Sequence, residues 1–170
     1  VTDAAAAVRV AEESPRQEVV LAFLEASDAF SAALYPPESN HMIDLSALEA
    51  PGVRFAVARD AAGAAIGCGA VVPGGTDPDG TRWAEVKRMF VDDAARGRGV
   101  GAAVLGELER MAAADGCALL RLETGVLSDG ALALYRRAGF RERGPFGAYR
   151  PDPLSVFMEK RLAASGSEGR

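Results

Sequence analysis

The sequence predicts an α/β (α+β) protein, with one mixed sheet built from strands that alternate with amphipathic helices. Three observations carry this reading. Arg82 to Val91 is a long strand-type run followed by a glycine-rich turn, Arg96-Gly97-Arg98-Gly99-Val100-Gly101, which opens directly onto a helical pattern. A second helix-to-strand passage lies at Leu134-Tyr135-Arg136-Arg137-Ala138-Gly139-Phe140. Ahead of both, Val53–Val57 and Ala65–Val72 flank the turn Asp60-Ala61-Ala62-Gly63 and read as a hairpin.

The elements follow in order. Val8 to Glu12 reads as a first strand. Ser14-Pro15 can cap and open a helix, with Pro15 at its first position, where a missing N–H costs nothing. Val19, Val20, Phe23, Leu24, Phe30 and Leu34 form its apolar face, and Tyr35-Pro36-Pro37 stops it. A loop with Glu38, Ser39, Asn40 and His41 leads to a short helix over Leu45–Ala50. Val53–Val57 alternates as a half-buried strand, and Ala65–Val72 returns beside it. Pro73-Gly74-Gly75-Thr76 through Gly80 reads as a loop by composition. After the central strand, a helix over Gly99–Ala114 buries Val100, Val104, Leu105, Leu108, Met111 and Ala112, and Asp115-Gly116 ends it. Cys117–Thr124 is a buried strand, Ser128–Arg137 a helix stopped by Gly139, and Phe140–Arg143 and Leu154–Arg161 are the last strands.

Composition bounds the function. A chain of 170 residues, nearly half of them apolar, can bury a core. Residues 1–162 read as a single domain and 163–170 as a disordered polar tail. No apolar run is long enough to span a bilayer, and the start lacks the basic and apolar regions of a signal peptide. The net charge of −5 argues against nucleic acid as a partner. Cys68 and Cys117 are far apart with no Cys or His at metal spacing, so reduced thiols, a cytoplasmic setting and no metal are expected.

The glycine-rich turn is the most specific chemical signal. A strand, a turn and a helix start aim several backbone N–H groups and the positive end of a helix at one spot, which suits a phosphate. Glycines let the backbone approach closely, and Arg96 and Arg98 can pair with phosphate oxygens. No Gly-Lys-Ser/Thr follows, so the turn is not a Walker loop. The glycines alternate, and the strand before them is not the first of the chain, which speaks against a dinucleotide fingerprint.

Arg96-x-x-Gly99-x-Gly101 matches the Gln/Arg-x-x-Gly-x-Gly/Ala signature of the GNAT acetyltransferase superfamily. Leu134-Tyr135-x-x-x-Gly139-Phe140 resembles the superfamily's second element, in the right order. Tyr35-Pro36-Pro37-Glu38-Ser39, Leu122-Glu123-Thr124-Gly125 and Gly144-Pro145-Phe146-Gly147-x-Tyr149, with Asp152-Pro153-Leu154 after it, resemble a bacterial subgroup of acetyltransferases. The resemblance covers about Val8 to Leu162. It implies a mostly antiparallel sheet flanked by helices on both faces and splayed between the strands ending at Val91 and Thr124, with acetyl-CoA in the splay. The implied reaction moves an acetyl group to a primary amine by direct attack in a ternary complex.

The site residues follow from that resemblance. Gly97, Arg98, Gly99, Val100 and Gly101, with Arg96, would hold the diphosphate. The Val91 backbone would pair with the pantetheine arm, beside Phe90, while the Met89 N–H faces the acetyl carbonyl. A bulge near Met89 would free that amide. Tyr135 corresponds to the tyrosine that protonates the leaving thiolate, and a phenol of pKa ~10 is still protonated at neutral pH. The family often has an asparagine seven residues earlier that contacts the cofactor, and the resemblance gives that cofactor-binding position to Ser128 in this chain.

An ammonium of pKa ~10.4 must lose a proton before it attacks. Glu85, eleven residues before Arg96, has the spacing of the glutamate base in the histone-acetyltransferase branch. Strict alternation would place it with Lys87, Met89 and Val91 on one face. Its alternative role is a plain ion pair with Lys87 or Arg88. Tyr35, Glu38 and His41 in the loop after the first helix, Glu123 and Thr124 across the splay, and Phe146, Tyr149 and Asp152 in the late loop are candidate substrate contacts. The expected partner is a small-molecule amine. Dimers are common in the superfamily, and no segment here specifies one. Two other readings stay open: a CoA-binding module without catalysis, and acetylation of a protein N-terminus.

Overall fold

The computed structural model describes residues 7–164; the tail expected beyond residue 162 lies largely outside them. One seven-stranded sheet runs β1 (Arg9–Glu12), β2 (Arg54–Arg59), β3 (Ala65–Thr76), β4 (Arg82–Val91), β5 (Leu119–Gly125), then β7 (Ser155–Arg161) and β6 (Arg141–Arg143) at the far edge. Every neighbouring pair is antiparallel except β4 with β5. The helices are α1 (Glu18–Leu34), α2 (Leu45–Leu48), α3 (Val100–Ala114) and α4 (Asp129–Arg137).

Two cores lie on opposite faces of the sheet. Val20, Phe23 and Leu24 of α1 and Leu48 of α2 pack on Phe55, Val57, Cys68 and Ala70. On the other face, the whole expected apolar stripe of α3 is buried, together with Leu132 and Tyr135 of α4, Leu120, Leu122 and Met158. Phe55 and Val57 therefore face α1 while Ala56 and Ala58 face α3, so β2 is buried on both sides rather than half-buried. Helix α1 begins at Glu18, beyond Pro15, with Gln17 as its N-cap.

Two further differences from the sequence reading have physical causes. Strand β3 continues through Pro73-Gly74-Gly75 to Thr76, pairing Gly75 with Trp83 and Thr76 with Arg82. The glycines serve there to admit the Trp83 ring rather than to turn the chain. Phe30 is 53% exposed and leaves the α1 core face to stand at the rim of the cleft described below.

Candidate active site

Strands β4 and β5 pair over only three positions, Trp83–Leu119, Ala84–Leu120 and Glu85–Arg121. Beyond them β4 runs on to Val91 beside β3, and β5 runs on to Gly125 beside β7. The two strands have parted, as the resemblance implied. Their facing edges open into a cleft of about 1060 Å³, walled by Met89, Phe90, Val91, Glu123, Thr124 and Tyr135 among others.

A bulge sits where it was expected. Cys68 pairs with Phe90 and Ala70 with Lys87, so Gly69 faces both Arg88 and Met89. Arg88 takes the left-handed conformation, with φ at 56°. One extra residue reverses the side-chain alternation. Glu85 and Lys87 therefore stay on the α1 face, while Met89 and Val91 pack with the α3 core. The reading that put all four on one face is corrected by the bulge itself: strict alternation cannot pass through it.

At one end of the cleft, Gly97 and Gly99 both hold φ at 77°, and Gly99 is the N-cap of α3. Arg96, Gly97, Gly99, Val100 and Gly101 line the wall; the Val100 side chain is buried in the α3 core. Arg96 pairs with Asp93 at 3.2 Å on the surface. Arg98 is exposed and lies off the wall. The α3 helix is long enough for its first turn to present free N–H groups. An open strand edge with a helix N-terminus at its end fits a ligand that carries amides along an arm and a diphosphate at its tail.

Tyr135 reaches the cleft from α4. It is 6% exposed, edge-on to Phe140 with ring centroids 5.7 Å apart. Burial first, then the nearby Glu123 charge, push its phenol well above the ordinary value, so it holds its proton. Ser128 is the N-cap of α4, and its Oγ shares a 2.9 Å hydrogen bond with the Tyr35 hydroxyl. The same hydroxyl accepts the Leu127 N–H at 3.0 Å. Tyr35 thus ties the end of α1 to the start of α4, its hydroxyl engaged within the protein while the residue lines the cleft where a substrate contact was expected.

The other expected contacts divide. His41, Glu123 and Thr124 line the cleft. Glu38 is exposed, in a single 3₁₀ turn off the wall. Phe146 is 5% exposed in an aromatic cluster with Trp83, Tyr149 and Phe157, where it supports the loop instead of touching the cleft. Tyr149 stands behind Lys87, edge-on to His41 at 5.1 Å. Asp152 accepts the Ser39 hydroxyl at 2.6 Å and the Leu154 N–H at 2.8 Å.

Glu85 and Lys87 form an ion pair at 3.1 Å, and the Tyr149 hydroxyl donates to Glu85. Lys87 also donates to the His41 carbonyl at 2.8 Å. Glu85 is off the cleft wall. Glu123 is on it, and its carboxyl is pushed up to about 7, mainly by burial. Sequence reasoning placed Glu123 as a contact only; nothing in a single sequence reveals how poorly a carboxylate is solvated.

With this geometry in view, comparisons agree on the family. Residues 20–140 match the family model of the acetyltransferase (GNAT) family. The chain is 49% identical over 155 residues to an IAA acetyltransferase of Azospirillum brasilense, covering 91% of this chain and 98% of that protein. It is 37% identical over 129 residues to the uncharacterized N-acetyltransferase YsnE of Bacillus subtilis, covering 75% and 82%. Among solved structures, one from Klebsiella pneumoniae named for acyl-CoA N-acyltransferase activity superposes with a TM-score of 0.73 at 35% identity, over 92% of this chain and 98% of that one. The yncA protein of Salmonella typhimurium, solved with its cofactor acetyl-CoA, shares the fold with a TM-score of 0.67 at 17% identity, over 92% and 95%. An open strand edge, a glycine-rich turn at a helix N-terminus and a buried tyrosine between two parted strands thus meet in a chain that belongs to the GNAT acetyltransferase family, whose members carry out acetyl-CoA-dependent acetylation.

Proposed function

We propose that the protein transfers the acetyl group of acetyl-CoA directly to the primary amine of a small molecule, both bound together in the cleft. The observation that carries this reading is the position of Tyr135, a buried phenol on the wall between the parted strands. Bound acetyl-CoA supplies an activated acyl carbon and a thiolate leaving group. The backbone N–H groups at the start of α3 hold its diphosphate, and the Val86–Val91 edge of β4 offers amides to its arm. The Met89 N–H, at the bulge, faces the acyl oxygen and stabilises charge that develops there. The Tyr135 hydroxyl keeps its proton until the sulfur departs and then donates it.

The small acceptor is supported by the chemistry of the cleft's walls. Phe30 and Leu127, each 53% exposed, flank it with apolar surface, while His41, Lys87 and Glu123 supply polar groups within. A relative's name, IAA acetyltransferase, is a further lead to the acceptor. Two free cysteines, Cys68 and Cys117, are in keeping with a cytoplasmic setting.

The test is release of free CoA thiol from acetyl-CoA across a panel of amines, amino acids, polyamines and peptides with free N-termini. Turnover with one small amine, lost in Tyr135→Phe, is the expected result. Turnover with peptide N-termini alone would move the acceptor to protein. Tight acetyl-CoA binding with no turnover on any acceptor would favour a CoA-binding module.

A further inference from the structure

Burial leaves one side-chain polar atom without a partner among the described residues, the Nε of Arg88. The Arg88 side chain is 3% exposed, and the residue lines the cleft together with Ser27 and Phe30 of α1. A buried N–H that bonds nothing is costly, so it needs an occupant or a reason. The backbone that carries it is strained as well, with φ in the left-handed region, which a residue bearing a Cβ adopts at a cost.

The bulge decides where this side chain goes. Strict alternation after Lys87 would send Arg88 toward α3. The extra residue turns it to the Lys87 face instead. There its Nη1 donates to Asp28 at 2.6 Å and its Nη2 to the Leu24 carbonyl at 3.3 Å, both on α1. Nη1 also touches the Met42 sulfur. Asp28 thus takes the Nη1 end, and the side-on edge, Nε with Nη2, keeps only the long bond to Leu24. That edge is a planar fork that matches the two oxygens of a carboxylate.

Arg121 shows in the same chain how one guanidinium holds two carboxylates. It takes Asp77 through Nη1 and Nη2 at 2.9 and 2.6 Å, and Glu159 through Nε at 2.7 Å. At Arg88 only the first of these places is filled. The neighbouring cation on the wall, Lys87, is already spent on the His41 carbonyl, the Tyr149 hydroxyl and Glu85. Met42, also on the wall, is an unbranched and adaptable cover that can move off the guanidinium.

Resting on acetyl transfer to a small amine, we propose that Arg88 is a substrate-binding residue that holds a carboxylate of the acceptor, so that the acceptor is an amino acid or a close relative rather than a simple alkylamine or polyamine. Arg88 stands directly before Met89, the residue whose N–H serves the acyl oxygen in that reading, and neighbouring Cα atoms lie about 3.8 Å apart. An acceptor anchored at Arg88 therefore needs only a short spacer to bring its amine to the acyl carbon. The strained turn gains a purpose: it aims the guanidinium to the α1 side of the cleft.

The test compares kcat/KM for matched acceptors: the protein amino acids, their carboxamides, and the amines that lack the carboxyl group. The acids should lead both by about thirtyfold, mostly through KM, as expected for one charge-assisted pair. In Arg88→Gln that lead should shrink to about threefold or less, and Arg88→Lys, which keeps the charge without the fork, should retain part of it. Calorimetric titration with acetyl-CoA reports whether each variant is folded. Wild type alone decides the matter if the variants do not fold: a carboxylic acid without an amine should inhibit competitively against the acceptor, and its carboxamide should not. Carboxamides or simple amines used as well as the acids, no inhibition by the amine-free acid, or an acid preference that survives in folded Arg88→Gln would overturn the subsite and leave the acetyltransferase reading standing. If no amine is acetylated at all, that reading fails, and this assignment with it.

Discussion

Trp83 lies across Gly74 so closely that a Cβ on Gly74 would stand 2.2 Å from ring carbon Cε3. The indole also stacks under the Arg121 guanidinium at 4.9 Å and meets Phe146 edge-on at 5.3 Å. Arg121 in turn pairs with Asp77 at 2.6 Å and with Glu159 at 2.7 Å. The extended end of β3 is thereby clamped to β4, β5 and β7, beneath the loop that carries Tyr149.

Gly74→Ala forces the ring or the strand to shift. The expected cost is about 1–3 kcal/mol, in the range of overpacked sites. Trp83 is the single tryptophan, so its emission reports the change directly. Denaturant unfolding followed by fluorescence should show a lower midpoint and an altered native spectrum, whereas Gly80→Ala, with nothing within 4 Å of its added carbon, should leave the native spectrum unchanged.

The turn before α3 makes a second, separable prediction. A Cβ on Gly99 meets nothing within 4 Å, so Gly99→Ala is penalised only through its φ of 77°. Holding a non-glycine residue there costs roughly 1–2 kcal/mol. Thermal unfolding should show that loss. Calorimetric titration should show weaker CoA binding than for wild type, because relaxing the strain moves the N–H groups proposed to hold the diphosphate. Unchanged CoA affinity would separate the turn from the cofactor.

Glu123 makes stability depend on pH with a definite sign. Its folded value near 7 lies above the ordinary carboxyl value of 4.5, so the folded state binds more protons between the two. The contribution is present below pH 4.5, and stability falls as pH rises through 7. Glu123→Gln removes that dependence and should be more stable than wild type at pH 8, by up to roughly 3 kcal/mol. Melting temperatures measured from pH 5 to 8 check it; equal slopes in both proteins would contradict it.

Much of this arrangement was legible before any coordinates. The stripe from Val100 to Ala112 has helical period and buries as read, and β4 has its expected ends, because long periodic segments decide their own structure. The glycine turn declared itself because its chemistry is local. What escaped was non-local. Pro73-Gly74-Gly75 looks like a loop until Trp83 is seen to need the space. Phe30 has the right period for the core, but the end of α1 overhangs the cleft. The bulge was expected at Met89, yet its consequence for Glu85 and Lys87 depends on counting residues against Gly69 on the neighbouring strand. The Tyr35 hydroxyl meets Ser128 across 93 residues, a partnership that no local pattern encodes.

The most direct measurement is a single turnover of acetyl-CoA with the best amine acceptor, comparing wild type with Tyr135→Phe and following both amide formation and intact protein mass. Direct transfer assisted by Tyr135 predicts an amide-forming rate about a hundredfold lower in the variant, similar acetyl-CoA affinity, and no acetylated protein at any time. Equal rates in the two proteins would remove Tyr135 from the chemistry, and an acetylated protein intermediate that decays as amide appears would contradict direct attack.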